Sequence, residues 1–335
     1  MFTRRNFIKT TALATTALGL PLLLSAFTKY NPMKDKNEFE VIIIGGSYAG
    51  LSAAMALGRS LRNVLIIDSG KPCNEQTPHA HNFLTHDGKK PKEISSLARK
   101  QVEEYPTVKF HNGLAEKVIK TKTGFKITTE QNEVFNAQKV IFATGIKDIM
   151  PTLKGFSECW GISVIHCPYC HGYEFKKEKT GILGNGDYGF EFSKMISNLT
   201  KELTLYTNGK STLTNEQTEK LKENNIKIVE KEIESLEHTN GNLNHILFKD
   251  NTKESIKALY AKADFEQHSK IPMQLDCELD DNGYIKVDMF QKTNVDGLFA
   301  CGDNTTFLRS IANAVATGNV AGAMSNRELI EEHFG

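Results

Sequence analysis

The sequence lacks most of the features that mark a chain's class at a glance. It has almost no net charge, with 41 Lys and Arg set against 40 Asp and Glu. Nucleic-acid binding leans on a basic surface, and this balance supplies none. There is no internal repeat and no long low-complexity stretch. Cysteine is sparse: Cys73, Cys159, Cys167, Cys170, Cys277 and Cys301, four of them standing alone. Small secreted scaffolds need dense, regularly spaced cysteines because their cores are too small. A chain of 335 residues can build its core without them. What remains is an ordinary globular composition, 39% hydrophobic and 24% charged. At roughly 100–200 residues per domain, the length suggests about two domains.

The first residues read as an address. Thr3-Arg4-Arg5-Asn6-Phe7-Ile8-Lys9 places paired arginines before a mild apolar run over residues 10–27. A charged start and a short apolar middle make a signal peptide. The arginine pair resembles a twin-arginine signal, a route that carries folded, cofactor-loaded proteins. Export to the periplasm is expected. The run nears the lower length of a membrane span, about 17–25 residues. No clear small-residue cleavage site stands out, so a retained segment would anchor the protein to the membrane. Residues 31–37 are polar and read as a linker.

Glu38-Phe39-Glu40-Val41-Ile42-Ile43-Ile44 is a short β-branched run of the kind a buried parallel strand requires. Gly45-Gly46-Ser47-Tyr48-Ala49-Gly50 follows at once, and residues 51–61 read as a helix. Strand, glycine turn and helix form a dinucleotide-binding unit, with the helix N-terminus offered to a pyrophosphate. The turn residues Gly45, Gly46, Ser47, Ala49 and Gly50 are therefore cofactor candidates. Ser47 stands where the middle glycine of G-x-G-x-x-G is expected, and close backbone approach is tighter there. Asn63-Val64-Leu65-Ile66-Ile67 is the next strand. It ends in Asp68, placed to accept from a ribose. Two later pieces point to FAD. Val140-Ile141-Phe142-Ala143-Thr144-Gly145 runs as a strand into a small-residue turn, making Thr144 and Gly145 candidates. Gly297-Leu298-Phe299-Ala300-Cys301-Gly302-Asp303 does the same, with Gly302 and Asp303 at the strand end. Residues 310–324 suit a helix packed close to backbone or cofactor. Asp303 is placed to bond the flavin's sugar-alcohol chain.

A second unit lies between these pieces. Thr180-Gly181-Ile182-Leu183 reads as a strand, and Gly184-Asn185-Gly186-Asp187-Tyr188-Gly189 matches G-x-G-x-x-G in full. Its glycines, Gly184, Gly186 and Gly189, are candidates for NAD(P)H. A helix over 190–199 and a strand over 203–206 follow. Thr207-Asn208-Gly209-Lys210 then brings no carboxylate for a ribose hydroxyl and no arginine for a 2′-phosphate. The fold is kept while the part that selects the nucleotide is eroded, so NAD(P)H is a doubtful cofactor and FAD a firm one. The expected fold class is α/β: two Rossmann-like dinucleotide-binding (three-layer ββα) domains, the second inserted in the first. Signal and linker occupy 1–37, the FAD-binding domain 38–153 and 257–335, and the inserted domain, carrying the close cysteine pair, 154–256.

That pair is the chemical centre: Cys167-Pro168-Tyr169-Cys170-His171-Gly172-Tyr173-Glu174. At a helix start, a thiolate's pKa falls. Structural zinc takes four ligands, often from two such pairs, and no second C-x-x-C exists; no metal is expected. A purely structural disulfide this short gains little loop entropy. The c-type haem string C-x-x-C-H is literally present, but two dinucleotide units favour flavin. His171 is the candidate general base, since its ordinary pKa near 6.5 suits proton transfer at working pH. A hydrogen-bonded structural histidine is the plainer reading. His166 and Glu174 are weaker candidates. His79, His81 and His86 would reach the flavin or merely line a loop.

FAD motif, C-x-x-C, second glycine turn and terminal Gly-Asp stand here in the order of the low-molecular-weight thioredoxin reductases, which the chain resembles over nearly all of 38–330. Trp160-Gly161 ahead of the cysteines fits as well. These are class II FAD/NAD(P)-dependent pyridine nucleotide-disulfide oxidoreductases. The departures are specific. His171 stands where that family has Asp, and Thr207-Asn208-Gly209 where it has His-Arg-Arg. Cys-x-x-Cys-His-Gly-Tyr-Glu and His81-Asn82-Phe83-Leu84-Thr85-His86-Asp87-Gly88 look like the branch of oxygen-using, gliotoxin-type dithiol oxidases. The resemblance implies that Cys170 faces the flavin and Cys167 exchanges with substrate. It implies a homodimer acting on a small dithiol or disulfide, or on a thioredoxin-like protein. The alternatives are an NAD(P)H-dependent thioredoxin-disulfide reductase and, in another class, a non-catalytic flavin-binding redox sensor.

Overall fold

Buried Val, Ile and Leu runs build the framework. The computed structural model describes residues 37–335. The expected export signal and linker fall outside these, apart from Asn37. Phe39–Gly335 forms one compact unit. β1 (Glu38–Ile44), β2 (Val64–Asp68) and β3 (Val108–Asn112) are followed by a meander of β4 (Ala115–Thr121), β5 (Gly124–Thr129) and β6 (Val134–Phe142). β7 (Ile146–Ile149) leads out to β8 (Val164–Ile165), β9 (Thr180–Leu183), β10 (Leu203–Tyr206) and β11 (Lys227–Val229). The antiparallel β12 (Ile233–Thr239), β13 (Asn242–Phe248) and β14 (Lys253–Ser255) precede β15 (Ala258–Ala261). β16 (Asp264–Gln267) leads back, and β17 (Leu298–Ala300) closes the strand list.

The first sheet runs β3-β2-β1-β6-β5-β4, with β17 also paired to β6. β1 and β2 are parallel, Val41 facing Val64 and Ile44 facing Ile67. β17 is parallel to β6, with Ala300 beside Phe142. The second sheet runs β11-β10-β9-β15-β8, and each of its pairings is parallel. β15 lies just past residue 256, so the second sheet draws on the chain beyond the expected 154–256. β7 and β16, the outgoing and returning segments, pair antiparallel with each other, Asp148 facing Phe265.

Several helices differ in extent from the sequence expectation. The first is Tyr48–Arg59, not 51–61, because Ser47 takes the extended N-cap conformation. It stops where Leu61 adopts a φ of 58°, a left-handed conformation no helix continues through. The helix after the second turn is Gly186–Ile196, started by the Asn185 side chain accepting from the Gly186 N–H. The last helix, Ile311–Phe334, outruns the expected end at 324 by a good margin. Its extra turns bury Ser325 and Leu329. They also carry Glu328 and Glu332, both paired with the buried ammonium of Lys139 on β6. Gly318 of this helix lies so close to Ala49 that a methyl group there would collide with the Ala49 carbonyl oxygen. No helix among the described residues is long and apolar enough to cross a membrane.

Candidate functional site

β1, β6 and β17 end at one edge of the first sheet, and the FAD candidates gather there. Gly45 has a φ of 106°, and a methyl group on it would strike the Ala143 carbonyl oxygen. The Gly46 N–H donates to Asp68 Oδ1 at 3.0 Å. Gly50 packs against the Gly45 carbonyl with no room for a side chain. Ala49 fills the space beside Gly302, its Cβ 2.9 Å from where a Gly302 methyl would sit. Ser47 caps through its backbone, not its hydroxyl. Thr144 and Gly145 follow β6, and Asp303 follows β17, so the pairing of those strands brings them together. The Gly302 N–H is held by Thr317 Oγ1 at 3.0 Å.

Asp303 Oδ1, Thr144 Oγ1 and Asn313 Nδ2 are among the buried polar atoms with no partner among the described residues. Leaving a buried polar atom unsatisfied costs about 1–3 kcal/mol. Thr144 and Asp303 follow the carboxyl ends of two paired parallel strands, where such folds hold a dinucleotide. The residues therefore fit FAD, with Asp68, Thr144 and Asp303 as the side chains that would hold it. Burial pushes the Asp303 carboxyl up to about 6, with Arg309 opposing and Asp148 adding to the rise.

Arg309 and Asp148 belong to the site but carry no motif that could have flagged them in the sequence. The Arg309 guanidinium donates to both carboxylate oxygens of Asp148, at 2.8 and 3.1 Å. Its Nε lies 3.9 Å from Asp303 Oδ2. Asp148 also accepts from Trp160 Nε1 at 3.0 Å. Trp160 stacks on His166, centroids 5.5 Å apart. A continuous set of contacts thus leads from Asp303 to the residue before Cys167.

Cys167 and Cys170 form a disulfide, with Cα atoms 5.3 Å apart. Cys167 is the N-cap of a short helix, Pro168–His171, and its sulfur accepts from the Cys170 N–H at 3.2 Å. An N–H aimed at sulfur favours the thiolate. Tyr169 and Tyr173 flank the pair, 71% and 68% exposed. Burial drives His166 down to about 4, and Arg309 pushes the same way. His171 is also lowered by burial, with Glu174 favouring its charged form and His81 opposing it. Both shifts favour the neutral imidazole. The loop over 73–88 reaches the segment just after this helix: His81 Nε2 is 3.5 Å from Glu174 Oε1, and its Nδ1 is 3.6 Å from Asp87 Oδ1. His79 lies farther back, its ring centroid 6.5 Å from that of His81. His86 packs on Phe83 instead. Of the solitary cysteines, Cys159, Cys277 and Cys301 are buried. Cys301 is pushed up to about 12 by burial. Cys73 is open at its surface, but crowding behind it raises its thiol to about 11, with Asp303 adding to the effect.

The second glycine turn has the backbone of a nucleotide site. Asn185 Oδ1 accepts from Gly186 N and Thr212 N, at 2.9 and 2.8 Å. Asn185 Nδ2 donates to the Lys210 carbonyl at 2.9 Å. The turn is thereby tied to the loop after β10. Gly184 sits under the Tyr188 ring, where a methyl would come within 2.7 Å of it. Gly189 backs onto Leu205 of β10 and onto Gly184. The amides of Asp187 and Tyr188, in the first turn of the helix, have no backbone partner among the described residues. The Asp187 carboxylate is turned aside to Gln217 Nε2 at 2.7 Å.

Comparison with known proteins accounts for this arrangement. Residues 39–318 match the family model described as pyridine nucleotide-disulphide oxidoreductase. A protein named thioredoxin reductase tcpT from Claviceps purpurea is 32% identical over 312 residues, covering 90% of this chain and 97% of its own. Thioredoxin reductase from Helicobacter pylori is 29% identical over 308 residues, covering 87% and 98%. The crystal structure of an oxidoreductase from Agrobacterium tumefaciens superposes with a TM-score of 0.82 at 33% identity, over 88% of this chain and 99% of that one. The chain is an oxidoreductase acting on sulfur groups and belongs to the pyridine nucleotide-disulphide oxidoreductase family, as a thioredoxin reductase-like flavoprotein in a family that uses FAD and NAD(P)H.

Proposed function

We propose that the protein oxidises dithiols, passing their electrons through Cys167 and Cys170 to FAD, with oxygen as the final acceptor. The observation that carries this reading is the cysteine helix itself. His171, whose burial favours the neutral imidazole, adjoins Cys170, and Cys167 sulfur already accepts an N–H. His171 would take the proton of a substrate thiol. The thiolate then attacks Cys167 Sγ, the bond to Cys170 breaks, and Cys170 leaves as a thiolate. The second substrate thiol displaces Cys167 from the mixed disulfide, releasing oxidised substrate and an enzyme dithiol. FAD, when bound, supplies the two-electron acceptor that returns the pair to the disulfide. The exposure of Tyr169 and Tyr173 leaves the pair open to a small dithiol or a thioredoxin-like protein. Arg4 and Arg5 support export by the twin-arginine route, with the protein periplasmic or membrane-anchored, and a dimer belongs to the same reading.

The second reading, an NAD(P)H-dependent thioredoxin-disulfide reductase, is favoured by the intact turn over 184–189 and its two open amides. Oxygen uptake with dithiothreitol, set against NADPH oxidation without dithiol, separates the two. Rapid uptake with dithiol and slow NADPH oxidation are expected. Fast flavin reduction by micromolar NADPH would instead put the reductase reading first.

A further inference from the structure

We propose that Glu230 selects the nucleotide of the second glycine turn, making it a site for an adenine dinucleotide without a 2′-phosphate. In an open α/β sheet the adenosine ribose lies at the carboxyl end of the second strand of the unit, and a carboxylate there accepts from its hydroxyls. That strand is β10, which ends at Tyr206 and is followed by Thr207-Asn208-Gly209-Lys210, with no acid among them. The fold supplies one from the neighbouring strand. β10 and β11 are parallel, Tyr206 beside Val229, so the next residue, Glu230, emerges at the same edge.

Glu230 is built into the β10 loop. Its carbonyl accepts from Gly209 N at 3.1 Å. Its carboxylate Oε1 accepts from Ser211 N at 2.7 Å. The residue is exposed, and Oε2 has no partner among the described residues. An ionised carboxylate has about four acceptor sites, so capacity remains for ribose hydroxyls. The same geometry works against a 2′-phosphate, which carries about −1.5 to −2 charge and needs donors. The Ser211 amide, a donor such a phosphate could have used, is already taken by Glu230. Lys210 is the one cation in residues 207–212, and its backbone is tied to Asn185. At the other end of the ligand, the Asp187 and Tyr188 amides remain for the pyrophosphate.

Binding of an oxidised nucleotide needs no electron transfer, so this assignment stands or falls separately from the dithiol reading. The test is calorimetric titration of the FAD-loaded protein with NAD⁺ and with NADP⁺, for wild type and Glu230→Gln. Glutamine keeps an acceptor for the Ser211 amide and removes the charge. Wild type should prefer NAD⁺ by about tenfold or more, a difference of about 1.4 kcal/mol per factor of ten. Glu230→Gln should narrow or erase that preference, chiefly by improving NADP⁺, with the thermal midpoint unchanged. Equal affinities in wild type, a preference untouched by Glu230→Gln, or no binding of either nucleotide at millimolar concentration would each overturn the proposal. The wild-type ratio alone decides it if the variant does not fold.

Discussion

At the first glycine turn, a carboxylate from the next strand reaches back to the turn, Asp68 Oδ1 taking the Gly46 N–H at 3.0 Å. At the second, the grip comes from within, as Asn185 holds Gly186 and Thr212. The first turn is sealed behind by the last helix, with Gly318 pressed on Ala49, and Thr144 and Asp303, after the paired β6 and β17, carry orphaned polar atoms. The second has a tyrosine ring over its opening glycine. Both turns satisfy the same strand-turn-helix pattern. The backbone motif therefore sets where a pyrophosphate could lie. The side chains around it decide whether a cofactor is required for the fold to be satisfied.

The largest effects should come from cutting the route by which electrons reach the first turn. Cys170→Ser should abolish dithiol reduction of the flavin, while leaving any nucleotide at the second turn untouched. Cys167→Ser should leave a Cys170 thiolate beside the flavin, seen as a long-wavelength charge-transfer band. The opposite pair of spectra would reverse the two roles. Next comes a matched pair of glycine substitutions. Gly50→Ala drives a methyl into the Gly45 carbonyl, backbone against backbone. It should yield protein that is insoluble or colourless. Gly189→Ala meets Leu205 Cδ1 at 3.0 Å and the Gly184 carbonyl at 3.1 Å. This overpacking should cost about 1–3 kcal/mol and leave the yellow flavin absorbance in place. Equal flavin loss in both would erase the distinction between the turns.

Much of this contrast was legible in the sequence, because it is local. Strand, glycine turn and helix are consecutive, and Cys167 announces its cap by the proline and cysteine that follow. The positions of Thr144 and Asp303 at strand ends were readable because each closes a β-branched or apolar run. What could not be read is what tertiary pairing brings together. Arg309 meets Asp148 across 161 positions of chain. His81 meets Glu174 through a long loop. Glu230 enters the β10 loop only because β10 and β11 are adjacent. The carboxylate missing from the sequence after β10 is thus present in space. The early stop assigned to the last helix failed for a related reason: its final turns are held by Lys139, far away on β6.

A smaller effect should separate the side chains that hold each turn. Asp68→Asn keeps an acceptor for the Gly46 amide but loses the charge. Charged hydrogen bonds are worth about 1.5–3 kcal/mol, so FAD should bind about tenfold more weakly or worse. Asn185→Ala removes a helix cap, a loss of about 0.5–2 kcal/mol in stability, with FAD affinity unchanged. Fluorescence titration of flavin-free protein measures both.

The last effect is a pH dependence that only the first turn should show. Burial raises the Asp303 carboxyl from an ordinary 3.8 to about 6. Between those values the folded, FAD-free protein binds a proton that the unfolded chain does not. Stability from this group is therefore present at low pH and lost as pH rises through about 6. Above that point the fold must ionise a buried carboxylate that Arg309 only partly compensates. Asp303→Asn has no such charge to bury. In FAD-free protein the variant should be the more stable of the two at pH 7, and the gap should shrink toward pH 4. Bound FAD should flatten the wild-type slope, because a hydroxyl donating to Asp303 Oδ1 favours the ionised form and lowers its pKa. Thermal midpoints for wild type and variant, with and without FAD, give the comparison directly. Parallel pH profiles in the FAD-free state would mean that Asp303 is solvated after all, and its orphaned oxygen could no longer be counted toward the flavin site.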